Sequence, residues 1–493
     1  MKKRLAAAFV LFAFFTGGVR AQTALPDLGD ISSASLSDSQ ERTIGNRIMR
    51  EVRNDPAFLD DPEVTDYITS VGQRLLSVAD NPPQDITFFM VKDDSINAFA
   101  MVGGHVFIHT GLLLLTQDES ELAGVMAHEL SHILQKHQAR MIRDAARGQW
   151  TSLAALAVAL LAARSGSGQS GQVTEAALAG ATALSIQNQI DYTREHEREA
   201  DRVGFTLLEK AGYDPRGMAN FFERMQRANR VNEQQKGSVP SYLRTHPMTT
   251  ERIAEMQDRL EKMPPRILVP DSIEYKIAKA RLRVSGGSTT ESIRFFKVAL
   301  EDATVLRPRE DVYGLALAQR RAHDLDTAWK TLQPIRVQGR SHPAFELLAG
   351  QILGDMHKND ESLAVYRTAL KTWPGYRALA YAYLDQLLQT GHNKEAIADL
   401  EERLRSRPDD WRLYDLQARA FDATGQALSQ HRAQAESYYR RGNLAAAVDQ
   451  LEIAVKFKKG SDFYEMSIAE SRLRELRTAL ENERAAEKAL KIS

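Results

Sequence analysis

The chain has 493 residues, enough for about three domains at roughly 150 residues each, and its 43% hydrophobic and 26% charged content fits a globular protein rather than a disordered or collagenous one. Its 64 basic residues nearly cancel its 65 acidic ones, which argues against nucleic acid as a partner. The absence of cysteine excludes disulfide scaffolds, thiolate metal sites, iron–sulfur clusters and thiol nucleophiles, so any metal must sit on His, Asp and Glu.

Lys2, Lys3 and Arg4 precede an apolar run, Ala6 to Phe15, and a small-residue stretch ending at Ala21. This is the three-part layout of a secretory signal, residues 1–21, cleaved after Ala21. The run is too short for a membrane anchor, and no cysteine is available for lipidation. The expected product is a mildly acidic exported protein without a transmembrane span, most simply in the bacterial periplasm.

Residues 22–36 read as extended and Asp38 to Val52 as a helix. Thr87 to Val91 has β character, and Ser95 to Thr110 reads as two short strands joined at Gly103-Gly104. From Asp118 to about Arg147, Leu122, Val125, Met126, Leu130, Ile133 and Leu134 recur at helical spacing. An Ala-rich pair of segments, Leu153 to Ala163 and Val173 to Ile186, reads as a buried helical hairpin or an apolar lid near the site. A proline-rich linker around Met263 to Pro270 closes the first half. Beyond it, Pro374 and Pro408 stand 34 residues apart, and in their frame Gly350 and Ala418 take one small-residue position while Ser362 and Ala396 take another. This spacing resembles the tetratricopeptide repeat, and four or five repeats are expected; each helix pair buries its apolar face only by stacking on the next.

The long helix carries His128-Glu129-Leu130-Ser131-His132, an H-E-x-x-H pattern. Four residues apart on a helix means one face, so both imidazoles reach a single zinc ion while Glu129 stands ready to take a proton from the attacking water. Catalytic zinc normally has a third protein ligand. A metzincin extension is absent, since Gln135 and Gln138 stand where that class needs Gly and His; His137, about 100° off along a continuing helix, reads as solvated. The better candidate is Glu197, with Asp201 on the same helical face to accept the free N–H of a ligating histidine. A solvated acidic face fits the same segment, and spacing alone does not choose between them.

These residues carry a family resemblance. H-E-x-x-H followed by E-x-x-x-D, here Glu197 to Asp201, resembles the HtpX-like gluzincin metallopeptidases. Leu25-Pro26-Asp27, Ile96 to Ala100 with Gly103-Gly104, Val125-Met126-Ala127, Glu199-Ala200-Asp201 and Thr245-His246-Pro247 resemble its soluble periplasmic branch, the BepA-type proteases with a C-terminal tetratricopeptide domain. The resemblance implies a mostly α fold with a small β-sheet in the catalytic domain, a zinc metalloprotease domain at 22–265 and an α-solenoid of repeats at 266–493. It implies one Zn2+ per chain held by His128, His132 and Glu197, with Asp201 as companion and Glu129 as general base. His246 and Arg252 resemble the pair that stabilises the oxyanion in that family, and at rest His246 is expected to fill the fourth zinc position. Asn97, Ala98, Phe99 and Ala100 look like the edge strand that aligns an extended substrate. The implied function is endopeptidase quality control of misassembled outer-membrane proteins, with chaperone-like assistance to their assembly and repeats that contact the barrel-assembly machinery. The alternative is a chaperone or adaptor scaffold in which proteolysis is secondary.

Overall fold

The computed structural model describes scattered positions between residues 41 and 55, and residues 57–83, 85–145, 194–234, 241–264, 270–302, 308–337, 341–457 and 463–492. The expected signal, the extended segment after it and the Ala-rich pair at 153–186 lie outside the described residues, as does most of the expected helix at 38–52.

Helix α1 (Pro62–Leu76) begins where the Asp61 side chain accepts from the Glu63 and Val64 N–H groups, with proline at its first position. It lies on a three-stranded sheet of order β1–β3–β2. Strand β1 (Thr87–Val91) runs parallel to β3 (His105–His109), and β2 (Ala98–Met101) runs antiparallel to β3, with Phe99 opposite Phe107. Gly103 and Gly104 turn the β2–β3 hairpin at φ +93° and +82°, a conformation open to glycine. A side chain at Gly72 of α1 would fall 2.1 Å from the Phe88 ring, so the helix sits directly on the sheet.

A short helix α2 (Thr110–Leu115) leads to α3 (Glu119–Leu134), which is buried along most of its length. The single helix expected from Asp118 to Arg147 is two helices. Lys136 adopts φ +49°, breaking the chain after Leu134, and α4 (His137–Ala145) starts in a new direction. Among the described residues four further helices follow in this half: α5 (Arg194–Lys210), α6 (Arg216–Gln234), α7 (Ser241–Thr245) and α8 (Thr250–Glu261).

The remainder is helical hairpins: α9 (Ile273–Gly286) with α10 (Thr289–Asp302), α11 (Arg309–Arg321) with α12 (Leu325–Leu332), α13 (Pro343–Asp355) with α14 (Asn359–Thr372), α15 (Arg377–Gln389) with α16 (Asn393–Ser406), α17 (Trp411–Ala423) with α18 (Ala427–Arg440), and α19 (Leu444–Ala454) with α20 (Phe463–Ile492). The first helices of four successive hairpins start at Arg309, Pro343, Arg377 and Trp411, a strict 34-residue step. The turns keep the same step, with positive φ at His323, His357, Gly391 and Gly425. Gly350 occupies its small-residue position because the Tyr366 ring lies 2.3 Å from where a side chain would begin, and Ser362 is buried with its hydroxyl donating to the Gly350 carbonyl.

Helix α9 belongs to both halves. Tyr275, Ala278 and Leu282 join the core formed by α1, the sheet and α3, while Ile277, Ala280 and Val284 join the first solenoid core.

Candidate metal centre

Three elements bring the centre together. Helix α3 is capped by the Asp118 carboxylate, which accepts from the Glu121 N–H at 2.8 Å, and it places His128, Glu129 and His132 inside, none of them exposed. Helix α5 supplies Glu197 and Asp201, 1% and 6% exposed. The two helices approach closely because of Gly204: a side chain there would start 3.1 Å from the Ala127 and His128 backbones. Helix α7 is followed directly by His246, whose N–H donates to the Tyr242 carbonyl at 2.8 Å and whose ring stacks on Tyr242 with centroids 4.8 Å apart.

His128, His132, Glu197 and His246 each turn one ligand atom to a common point, and these atoms all lie within 4.8 Å of one another. The His128 Nε2 is 3.1 Å from His132 Nε2 and 3.3 Å from His246 Nδ1. Glu197 Oε1 is 3.0 Å from His246 Nδ1 and 3.5 Å from His132 Nε2. An ion bound tetrahedrally at about 2.0–2.1 Å sets its ligands roughly 3.4 Å apart. The observed edges bracket that value, and nitrogen and oxygen donors facing one another so closely fit a cation at their centre.

Around the four, Asp201 Oδ1 lies 3.0 Å from His128 Nδ1, the partner that fixes which imidazole nitrogen faces inward. Arg252, 2% exposed, donates from Nε and Nη2 to Asp201 at 2.6 and 2.8 Å, from Nη1 to the Pro247 carbonyl at 2.8 Å, and pairs with Glu197 Oε2 at 2.7 Å. Burial disfavours charge on every group here, and the pairings decide the outcome. Burial would lower the His128 imidazole, yet Glu197 and Asp201 outweigh it and raise it to about 9. Burial would likewise raise Glu197, but His246, Arg252 and His128 hold it well below the usual carboxylate range. Burial and then the His128 charge push His132 well below an ordinary imidazole. Burial raises the Glu129 carboxyl above its ordinary value against the opposing pull of His246.

The expected substrate strand divides. The Ala100 N–H donates to Glu129 Oε2 at 3.1 Å, and the Ala100 carbonyl accepts from the Gln138 side chain, so this residue's backbone faces the site. Asn97 turns its carbonyl to the His109 N–H at 3.0 Å, Ala98 is buried, and Phe99 stacks on Phe107 with centroids 5.1 Å apart.

His137 is the correction. It is fully buried rather than solvated, with Nδ1 2.9 Å from His132 Nδ1 and Nε2 3.0 Å from Glu199 Oε2. Continuing α3 by 100° per residue misplaced it, because the helix stops before it. Tyr242 also escaped the sequence reading, since an aromatic residue four positions before a histidine has no distinctive pattern.

A model of peptidase family M48 matches residues 62–260. Over 437 residues the chain is 35% identical to the Beta-barrel assembly-enhancing protease of Escherichia coli (strain K12), covering 87% of this chain and 86% of that protein. A Putative beta-barrel assembly-enhancing protease of Vibrio cholerae is 33% identical over 455 residues, 91% of this chain and 90% of that one. Metalloprotease LoiP of Escherichia coli (strain K12) is 27% identical over 229 residues, 46% of this chain and 82% of that one. Likeness extending well past the catalytic half, together with three imidazoles and a carboxylate converging in a buried core, places the chain in peptidase family M48 as a metalloendopeptidase.

Proposed function

We propose that the chain is a zinc endopeptidase of the periplasm that removes misassembled outer-membrane β-barrel proteins and assists their assembly. A signal at 1–21 would direct export, residues 22–265 would form the protease, and the repeats at 266–493 would contact the barrel-assembly machinery. The single observation that carries the chemistry is the convergence of His128, His132, Glu197 and His246 beside Glu129. The names of the full-length relatives support the substrate class. Among the described residues no helix is long and apolar enough to cross a membrane, which is compatible with this reading.

His128, His132 and Glu197 would hold the zinc. A bound zinc supplies Lewis acidity, acidifying water and polarising the scissile carbonyl. Glu129 accepts the proton of the attacking water and returns it to the leaving amine. His246 would take the fourth position at rest. Its Nε2 lies 3.5 Å from Glu129 Oε1, so the ring fills the space that water and substrate need. Rotated away, the same imidazole donates to the developing oxyanion. Arg252 spends its donors on Asp201, Pro247 and Glu197, so its part is to clamp both carboxylates. An extended substrate aligned on Asn97 to Ala100 would exchange the Glu129 and Gln138 bonds at Ala100 for its own backbone bonds. Edge capture of this kind suits stalled barrel precursors, which expose strand edges.

Glu129→Gln should retain zinc and cleave an unfolded β-barrel protein at least about a hundredfold more slowly, as loss of the general base requires. Cleavage at the normal rate would refute the mechanism. Rescue of a barrel-assembly defect by that inactive variant would show that scaffolding is separable from cleavage.

A further inference from the structure

A histidine that ligates through Nε2 must carry its proton on Nδ1, and that proton needs an acceptor to fix the tautomer and the ring plane. For His128 the acceptor is the Asp201 carboxylate at 3.0 Å. At His132 Nδ1 stands His137 Nδ1, 2.9 Å away. Two ring nitrogens at that distance are one donor and one acceptor. With the proton on His132, His137 must accept through Nδ1 and so carries its own proton on Nε2. That nitrogen lies 3.0 Å from Glu199 Oε2, an acceptor, and the same oxygen accepts from Arg140 Nη2 at 2.9 Å. One tautomer assignment therefore satisfies every link from Arg140 through Glu199 and His137 to His132. The His137 ring is held flat by stacking on His196, centroids 4.5 Å apart, on the turn of α5 that carries Glu197.

We propose that His137, backed by Glu199 and Arg140, is the positioning residue of the metal ligand His132, doing through a relayed carboxylate what Asp201 does directly for His128. The break at Lys136 serves this arrangement: it ends α3 so that the next residue folds back under His132. The inference rests on the zinc centre proposed above.

The test is zinc affinity of the full-length protein by competition with a chromophoric chelator, together with the d–d spectrum of the cobalt(II)-substituted form. His137→Phe keeps a ring against His196 and removes the acceptor; it should bind zinc about 10- to 100-fold more weakly and shift the cobalt spectrum. His137→Asn, whose amide oxygen replaces Nδ1, should recover most of the affinity and the native spectrum. Wild-type affinity and an unchanged spectrum in His137→Phe would overturn the inference while leaving the centre intact. If His137→Phe does not fold, Glu199→Ala decides in the same titration: weakened zinc binding supports the relay and unchanged binding overturns it. His132→Ala is the control for the centre itself, and undiminished zinc binding there would sink the proposed function and not the relay alone.

Discussion

In the proposed mechanism His246 serves two states. Its Nδ1 closes the ligand cluster at 3.0 Å from Glu197, and its ring stacks on Tyr242. His246→Ala frees the fourth position but removes the donor for the oxyanion, so the two roles oppose each other in the measured rate. With the resting occlusion dominant, the variant should cleave an unfolded protein severalfold faster than the parent with zinc content unchanged. A lower rate with unchanged zinc geometry would leave only the oxyanion role. The His128–His132 pair was legible from residue identity, because two histidines four apart on a helix share a face, whereas spacing left Glu197 open and only the family resemblance singled it out. The partner of His132 was not legible. His137 is read correctly only if the helix is known to stop at Leu134, and Gln135-Lys136 carries no glycine or proline to announce a left-handed residue.

At the scale of elements, the centre depends on how closely α3 and α5 approach, and Gly204 sets that distance. Gly204→Val would push its methyl groups into the Ala127–His128 backbone, part the helices and carry Glu197 away from the two imidazoles. Overpacking of this kind costs about 1–3 kcal/mol. Denaturant unfolding should show that loss, and zinc affinity should fall with it; a variant with native stability and native affinity would mean that the helices do not need the contact. The β2–β3 hairpin was legible because Gly103-Gly104 interrupts two runs of β-forming residues. The parallel pairing of β1 with β3 was not, since nothing between Val91 and His105 marks which edge of the hairpin β1 joins.

Across the molecule, the solenoid is tied to the protease half by charged groups clustered at the start of α1. Arg281 of α9 pairs with Asp61 at 2.6 Å and with Glu63, which is 7% exposed and also accepts from the Tyr376 hydroxyl at 2.6 Å. Arg377 reaches Asp66 at 2.8 Å, and Arg412 pairs with Asp60. Arg281→Ala strands the Glu63 carboxylate in a buried place, a loss of about 3–5 kcal/mol by the usual penalty for an unpaired internal charge. Calorimetry should show a lowered unfolding temperature, whereas an unchanged transition would mean that the Arg281 pairing does not hold the two halves together. The 34-residue rhythm was plain in the sequence because each repeat makes the same local turn. The latch was invisible, for its partners stand some 220 to 352 residues apart and no local pattern couples them. The shared helix α9 was hidden for the same reason: its two apolar faces serve two cores, so its sequence reads as an ordinary buried helix.

The most direct measurement of the whole account is the metal content of the purified chain and of Glu197→Ala by inductively coupled plasma mass spectrometry. The parent should carry one zinc per chain and the variant almost none, with its proteolysis lost as well. A parent that binds no stoichiometric zinc when it is supplied, or a variant that keeps its ion, would contradict the centre on which the function rests.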